Sequence, residues 1–528
     1  MYAMLSLAAA LSVAIVTEDQ TALRAAPHDS APRQAALWRG DWLEVRGSRT
    51  GFLQVYDHRR ERPGYVRPAQ VRSHAIEEQS APELRAVIGF LRDTPGAEAL
   101  GIGYVALYLK AAPAGTVDVS LLAALGVMAE RLAERVSAQR GEPGPAGAAL
   151  GAHIEVAESY GVHFVHYESE GHTVTCYDGE AFRQVLALGG SAEERLAAAL
   201  GLTRSRCIDP ALGPVELEAR NEWRLGVLGR AEVAGLPAWL RGRLELRRAE
   251  VLAALAFQRA RRGEMAGAAK ASQDAVRALA LADKNELADE DLGVYEATAV
   301  RVAAARWAGE PVGPLAARAL DAFAVGGDGK ATRVAAAPIA LRTVAGRPGE
   351  TCVQLIERAP AGRKAEGTRM LLERCTYGLV WPASARVSPD GKALALVVQP
   401  LASWSELWIF REGRDGRDGD DGHGGAPAEG AGAEAEGPRS ESGWHCDTLL
   451  PAVADPELGY VELAGWSPDG GRVLVVREGR TAAGLRREFQ VLRSDTLAVE
   501  RHARNPELLL AFRRWAGADW KQRTLALR

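Results

Sequence analysis

The chain has 528 residues, nearly half of them apolar, and 64 Lys and Arg almost balance 68 Asp and Glu to leave a formal net charge of -4. A chain of this length outgrows a single hydrophobic core and divides into several domains. The near balance of charge excludes the basic field that draws a protein onto nucleic acid, so no nucleic-acid partner is expected.

Residues 4–16 read MLSLAAALSVAIV, an apolar run of signal-peptide length and short for a membrane span. Ser12-Val13-Ala14 offers a small-residue cleavage point, but no Lys or Arg precedes Arg24 to form a basic leader. Residues 1–16 are therefore expected to be a signal-peptide-like segment, with a buried N-terminal strand as the alternative, and no integral membrane segment is expected beyond it. Cysteine placement agrees with export. Cys176 with Cys207 and Cys352 with Cys375 form two local pairs, leaving Cys446 over, and such pairs suit disulfides in an oxidising compartment. None lies in a Cys-x-x-Cys arrangement, which argues against a zinc or thioredoxin-like site. Five reduced thiols in a cytosolic chain are the competing reading.

Residues 17–75 alternate short strands and turns. Leu23-Arg24-Ala25-Ala26-Pro27 opens the series, Gly40-Asp41 leads into a strand, and Gly51-Phe52-Leu53-Gln54-Val55 and Gly64-Tyr65-Val66 follow. This order resembles the bacterial SH3-like domain, with its Leu-Arg-x-x-Pro opening, Gly-Asp turn, Gly-aromatic-x-x-Val strand and Gly-aromatic-Val close. The resemblance implies a small β-barrel in an exported protein, used to bind cell-wall peptides or other proteins and carrying no chemistry. Trp42, Phe52, Tyr56 and Tyr65 are the aromatics that would line its ligand groove, although alternating strand positions also fill a barrel core. Tyr56, next to the charged run Asp57-His58-Arg59-Arg60, is the one expected to face solvent.

Residues 81–213 are expected to form an α+β domain. Leu84, Val87, Ile88 and Leu91 have helical spacing, and Ser120 caps an amphipathic helix over 121–136. Residues 141–145 break it, and the apolar run 102–109 fits strand and helix equally. Strands are expected at 153–157, 163–168 and 173–179, with helices at 181–188 and 191–202. His153, His163, His166 and His172 invite a metal, but His163 and His166 point to opposite faces of a strand, so no metal is expected.

Residues 214–325 have helical periodicity throughout, with helices expected at 216–228, 236–262, 265–281 and 289–307. Small residues at Gly267, Ala268, Ala271, Ala275 and Ala278 let two helices approach closely. The pair resembles a tetratricopeptide-like hairpin, a type that binds polypeptides, and fits a plain bundle equally.

Residues 335–528 are strand-rich and carry one word twice, Ser388-Pro389-Asp390-Gly391 and Ser467-Pro468-Asp469-Gly470. Pro presets the first turn dihedral, Asp accepts a backbone hydrogen bond and Gly takes the positive φ. Each copy leads into an apolar strand. The units resemble the TolB-type propeller repeat, whose turn begins with Trp; Trp466 fits, and Val387 replaces it in the first copy. A partial propeller is implied, with an earlier blade before Trp381 and a last one from 508–512 and 524–527. Residues 413–443 are poor in large apolar groups and are expected to be a disordered insert. Asp415, Asp418, Asp420 and Asp421 within it lack the ligand order of a calcium loop.

The fold class expected is thus multidomain α+β: an N-terminal SH3-like barrel, a mostly helical centre with a small β element, and a C-terminal partial propeller-like domain. No hydrolase elbow, phosphate loop, zinc helix or dinucleotide fingerprint is present, so no cofactor is expected, and the repeated Asp390 and Asp469 read as turn residues. The function expected is non-enzymatic binding or scaffolding in a bacterial envelope, periplasmic or secreted, with peptidoglycan or an envelope protein as partner. The alternative is an envelope hydrolase targeted by its SH3-like domain, with His163 or Asp178 as catalytic candidates. A cytosolic helical-repeat adaptor is a third reading.

Overall fold

The computed structural model describes residues 12–113, 118–139, 144–169, 171–310, 318–325, 331–357, 369–413, 436–439, 443–453, 458–481 and 484–523. The chain divides into two compact units, residues 1–236 and 237–528. An N-terminal antiparallel sheet, a central helical region and a C-terminal sheet are all present, and neither large sheet closes on itself among the described residues. No described helix is long and apolar enough to cross a membrane.

The first unit opens with seven strands: β1 (Ser12–Val16), β2 (Thr21–Arg24), β3 (Arg33–Leu37), β4 (Trp42–Arg49), β5 (Phe52–Asp57), β6 (Arg62–Val66) and β7 (Val71–Ala75). They lie in the order β3-β2-β6-β5-β4-β1-β7, so the expected closed barrel is an open sheet with β3 and β7 at its edges. Residues 12–16, expected to belong to a leader-like segment or to a buried N-terminal strand, form strand β1. Its residues pair with both β4 and β7; Ala14 and Val16 fill the sheet core, while Ile15 enters the helical core. Cleavage after Ala14 would cut a strand buried on both faces. Residues 1–11 lie outside the described residues.

Helices α1 (Ala81–Arg92), α2 (Glu98–Ala111), α3 (Val119–Ser137) and α4 (Pro145–Ser159) pack against the other face of β1. The ambiguous run 102–109 is helix, and so are residues 153–157, which were expected as a strand. Leu150, Ile154 and Ala157 bury one helical stripe there, and five alternating residues are too few to separate the two periods. The cap of α3 is Asp118, which accepts from the Ser120 amide, rather than Ser120 itself. Gly40, at φ 93, lets the turn before β4 press on α2: a Cβ there would lie 2.4 Å from the Ala99 carbonyl.

Charged side chains fasten this join. Asp19 accepts from His153 Nε2 at 2.7 Å and from both nitrogens of the Arg39 fork. Burial pushes its carboxyl up, but those hydrogen bonds outweigh burial and hold it well below the usual carboxylate range. Glu98, fully buried, accepts from Arg131 and Arg135, both at 2.6 Å. The hairpin β8 (Phe164–Ser169) and β9 (His172–Tyr177), then α5 (Glu180–Leu188), α6 (Ala192–Leu202) and α7 (Pro214–Gly229) complete the unit. A Ser191–Glu194 capping box starts α6, and the Cys176–Cys207 disulfide ties β9 to the turn beyond α6.

The second unit begins with α8 (Ala238–Arg261), α9 (Met265–Leu281) and α10 (Asp289–Ala305). Ala268, Ala271, Ala275 and Ala278 are all buried on α9, as the small-residue spacing predicts. Strands then begin at Arg318, ahead of the expected residue 335. β10 (Arg318–Val325), β11 (Ala331–Ala345), β12 (Thr351–Glu357) and β13 (Met370–Thr376) form one antiparallel meander. A second follows from β14 (Leu379–Val387), β15 (Ala393–Leu401), β16 (Trp404–Glu412) and, after β17 (Glu436–Arg439), β18 (Trp444–Leu449). The third comprises β19 (Gly459–Trp466), β20 (Arg472–Thr481), β21 (Gly484–Arg493) and β22 (Val499–Ala503). Single parallel bridges, Ala322 to Val387 and Trp404 to Gly459, link successive meanders.

The meanders stack face to face because their central strands are apolar on both sides. On β15, Leu394, Leu396 and Val398 pack with the first meander, whereas Ala393, Ala395 and Val397 pack with the third and with Trp307. The outer face of the third is covered by α11 (Leu510–Trp515) and α12 (Ala518–Arg523), through Phe512 and Trp520. The last blade expected from 508–512 is thus a helical cap; residues 524–527 lie outside the described residues, as do 414–435 and 440–442 of the insert and its four aspartates.

Glu478 on β20 is fully buried; Arg487 donates to Oε1 at 2.7 Å, and Oε2 has no partner among the described residues. Burial raises its carboxyl from 4.5 to about 7. The folded protein therefore keeps a proton that the unfolded chain releases earlier. Its stabilising contribution is full below about 4.5 and is lost as pH rises through about 7. Urea unfolding should find the second unit weaker at the upper end of this window, by on the order of 3 kcal/mol from this group. Glu478→Gln should flatten that slope, and an unchanged slope would contradict the assignment.

Candidate functional site

The four expected groove aromatics divide into two sets. Register places Glu44 opposite Tyr56 and Gln54 opposite Tyr65, while Leu53 and Val55 point into the sheet core. Phe52, Gln54 and Tyr56 thus share the outer face, and Tyr65 lies diagonally between Phe52 and Tyr56, a spacing that long aromatic side chains can span. Tyr56 and Tyr65 are half-buried, and Phe52 is buried with the Arg67 guanidinium 5.1 Å from its ring centroid. Trp42 is separated from them. Its ring meets Tyr160 at 5.2 Å and Lys110 at 5.1 Å, which assigns it to the packing between sheet and helices rather than to a groove.

A polar frame surrounds Tyr56. The Arg46 guanidinium sits 4.1 Å from its centroid, the His58 ring 4.9 Å away, and Glu44 joins the two, accepting from His58 at 2.7 Å and from Arg46 at 3.1 Å. Hydrogen bonds from Arg46 and then His58 hold the Glu44 carboxyl below its ordinary value. Arg46 and Glu44 were missed in the sequence. Alternation along β4 could have placed them on the face of Tyr56, but the cross-strand register that makes them neighbours is not local. The frame holds the half-buried Tyr56 ring with a guanidinium and an imidazole beside it and a carboxylate joining the two.

The two Ser-Pro-Asp-Gly turns have matching internal bonds. Ser388 Oγ donates to Asp390 and accepts from the Ala393 amide at 2.9 Å; Ser467 Oγ donates to Asp469 and accepts from the Arg472 amide at 2.8 Å. The Ser467 hydroxyl and the Gly471 amide hold the Asp469 carboxyl below its ordinary value. Both aspartates are turn residues, as the repetition implied. The turns meet across a cavity of about 560 Å3 whose rim carries Asp390, Lys392, Arg411, Arg472, Arg493 and Glu500. Its arginines are engaged with acids: Arg472 with Glu500, Arg493 with Asp495 and Arg411 with Asp447.

Both expected disulfides form, Cys176–Cys207 and Cys352–Cys375. Cys446 is buried, and desolvation pushes its thiol up to about 12. Glu350, Cys352 and Cys375 bring their ligand atoms within 4.8 Å of one another, but each sulfur is bonded to the other and offers no thiolate. The histidines do not converge: His153 is held by Asp19 on α4, and His166 Nδ1 bonds Thr175 Oγ1 at 3.1 Å. Asp178 accepts from the Glu180 amide at 2.9 Å and lies 3.8 Å from Arg183. It meets His163 through backbone alone, its amide donating to the His163 carbonyl at 3.0 Å.

Compared with protein-family models, with curated proteins and with solved structures, the chain matches none.

The contact between the repeated turns gives a direct test. Gly470 has φ 72, and a Cβ there would lie 2.5 Å from Asp390 Cγ. Gly470→Ala should destabilise the second unit by about 1–3 kcal/mol, read as a lower urea midpoint; wild-type stability would contradict the contact.

Proposed function

We propose that this chain is a non-enzymatic binding or scaffold protein of the bacterial cell envelope, with a bacterial SH3-like module at its N-terminus. The C-terminal region is, in this reading, a partial TolB-type propeller whose three meanders are blades, and it serves as a second contact surface. The outer-face arrangement of Tyr56 and Tyr65, with Arg46, Glu44 and His58 framing the first, is the observation that carries the proposal. It combines half-buried aromatic area with paired donors and acceptors, the composition of a peptide-recognising surface. Two disulfides support an oxidising compartment, and wall peptides are the polymer such a surface meets there.

Sedimentation with purified, insoluble peptidoglycan tests this reading. The full chain should be retained in the pellet, and the double variant Tyr56→Ala with Tyr65→Ala should lose about tenfold in affinity, as two aromatic contacts of about 0.5–1.5 kcal/mol each imply. Both substitutions lie outside the sheet core, so the unfolding midpoint serves as the control. Absence of retention, or equal retention of the double variant, overturns wall binding through this face.

A further inference from the structure

Helix α7 carries Arg220 and Trp223 three residues apart and therefore on one face. The guanidinium carbon stands 4.3 Å from the Trp223 ring centroid, and 38% of Trp223 is exposed. Beside them opens a cavity of about 240 Å3, walled by Tyr167 of β8, Tyr177 of β9, Phe182 of α5 and the Cys176–Cys207 disulfide. Glycines let its walls pack closely: a Cβ at Gly201 would lie 2.4 Å from the Phe182 ring, and one at Gly179 would lie 2.5 Å from Leu202. None of this cavity coincides with the outer sheet face or the repeated turns.

Two of the cavity's arginines are paired with acids. Arg204 is paired with Glu130 and Glu134, and Arg183 with Glu180 at 2.8 Å and Asp178 at 3.8 Å. Of the three arginines that line the walls, Arg220 alone has no acid paired with it among the described residues. Its guanidinium stacks on Trp223 instead. Burial pushes its guanidinium below the ordinary value; Tyr167 opposes this, and repulsion from Arg183 adds to it. Arg220 is exposed, and an incoming anion relieves its repulsion from Arg183.

We propose that this cavity binds a small monocarboxylate bearing a flat apolar group, with the carboxylate on Arg220 and the flat group against Trp223 and the tyrosines. The planar fork of Arg matches a carboxylate through two parallel hydrogen bonds. The volume lies below the range of about 300–1,000 Å3 that holds drug-sized ligands, so the ligand is the size of one aromatic side chain.

Ligand-observed NMR with the full chain and 3-phenylpropionate tests the proposal, with 3-phenylpropan-1-ol as the uncharged isostere. The carboxylate should bind saturably, and the alcohol and the Arg220→Gln variant should each bind about tenfold more weakly, the loss expected for one charged hydrogen-bonding partner. Because Arg220 makes no ion pair among the described residues and its stack on Trp223 is at the surface, the variant should unfold close to the wild-type midpoint; the alcohol comparison holds even if it does not. No saturation by up to about 10 mM carboxylate, equal binding of the alcohol, equal binding by Arg220→Gln, or tighter binding of phenyl phosphate each overturns it.

Discussion

One buried carboxylate holds the second unit together. Glu462 on β19 is fully buried and accepts from the Arg306 guanidinium, the Tyr460 hydroxyl and, at 2.6 Å, Trp520 Nε1. These donors come from the turn after α10, from the strand itself and from α12, so a single side chain fastens the helices, the third meander and its cap. Burial acts to lower the Arg306 pKa, but the Glu462 charge and hydrogen bond, with Tyr460 and Glu310, together outweigh it and raise that pKa above its ordinary value. A pair of this kind adds little compared with an apolar replacement, yet loss of either member strands a buried charge at a cost of about 3–5 kcal/mol. Its role is specification: the elements reach full burial only in the one arrangement that satisfies the carboxylate. Glu98 with Arg131 and Arg135, and Asp19 with Arg39 and His153, do the same in the first unit.

Much of the fold was legible because its signals are local. Residues 265–281 are helix at the bounds the periodicity predicts, the cysteines pair as their spacing suggested, and the repeated turns have the bonds that Ser, Asp and Gly dictate. The failures share a physical cause. Strand β1 is apolar on both faces because two cores meet on it, and a continuous apolar run reads the same in a leader, a buried strand or a buried helix. Residues 153–157 alternate over too short a window, and the terminal strand expected at 508–512 runs into a helix whose apolar side chains cap the third meander.

The candidate sites were legible only by residue type. Tyr56 and Tyr65 stood out as aromatics in a strand series, whereas the Arg46–Glu44–His58 frame depends on a register set across β4 and β5. Trp42 looked equivalent to them and is instead committed to Tyr160 and Lys110. Arg220 gave no signal beyond its spacing from Trp223, since what distinguishes it is the lack of an acid that the fold supplies to Arg183 and Arg204. Many of the charged side chains in the described residues are paired within the fold.

The proposed binding role carries a claim about chemistry, that wall polymers are held and not cleaved. The most direct measurement is the time course of soluble fragments released from purified peptidoglycan by the full chain, followed by chromatography of the supernatant. Release no faster than from wall material in buffer is the result predicted. Fragments that accumulate with time and protein concentration, and that disappear when Asp178 is changed to Asn, would contradict it.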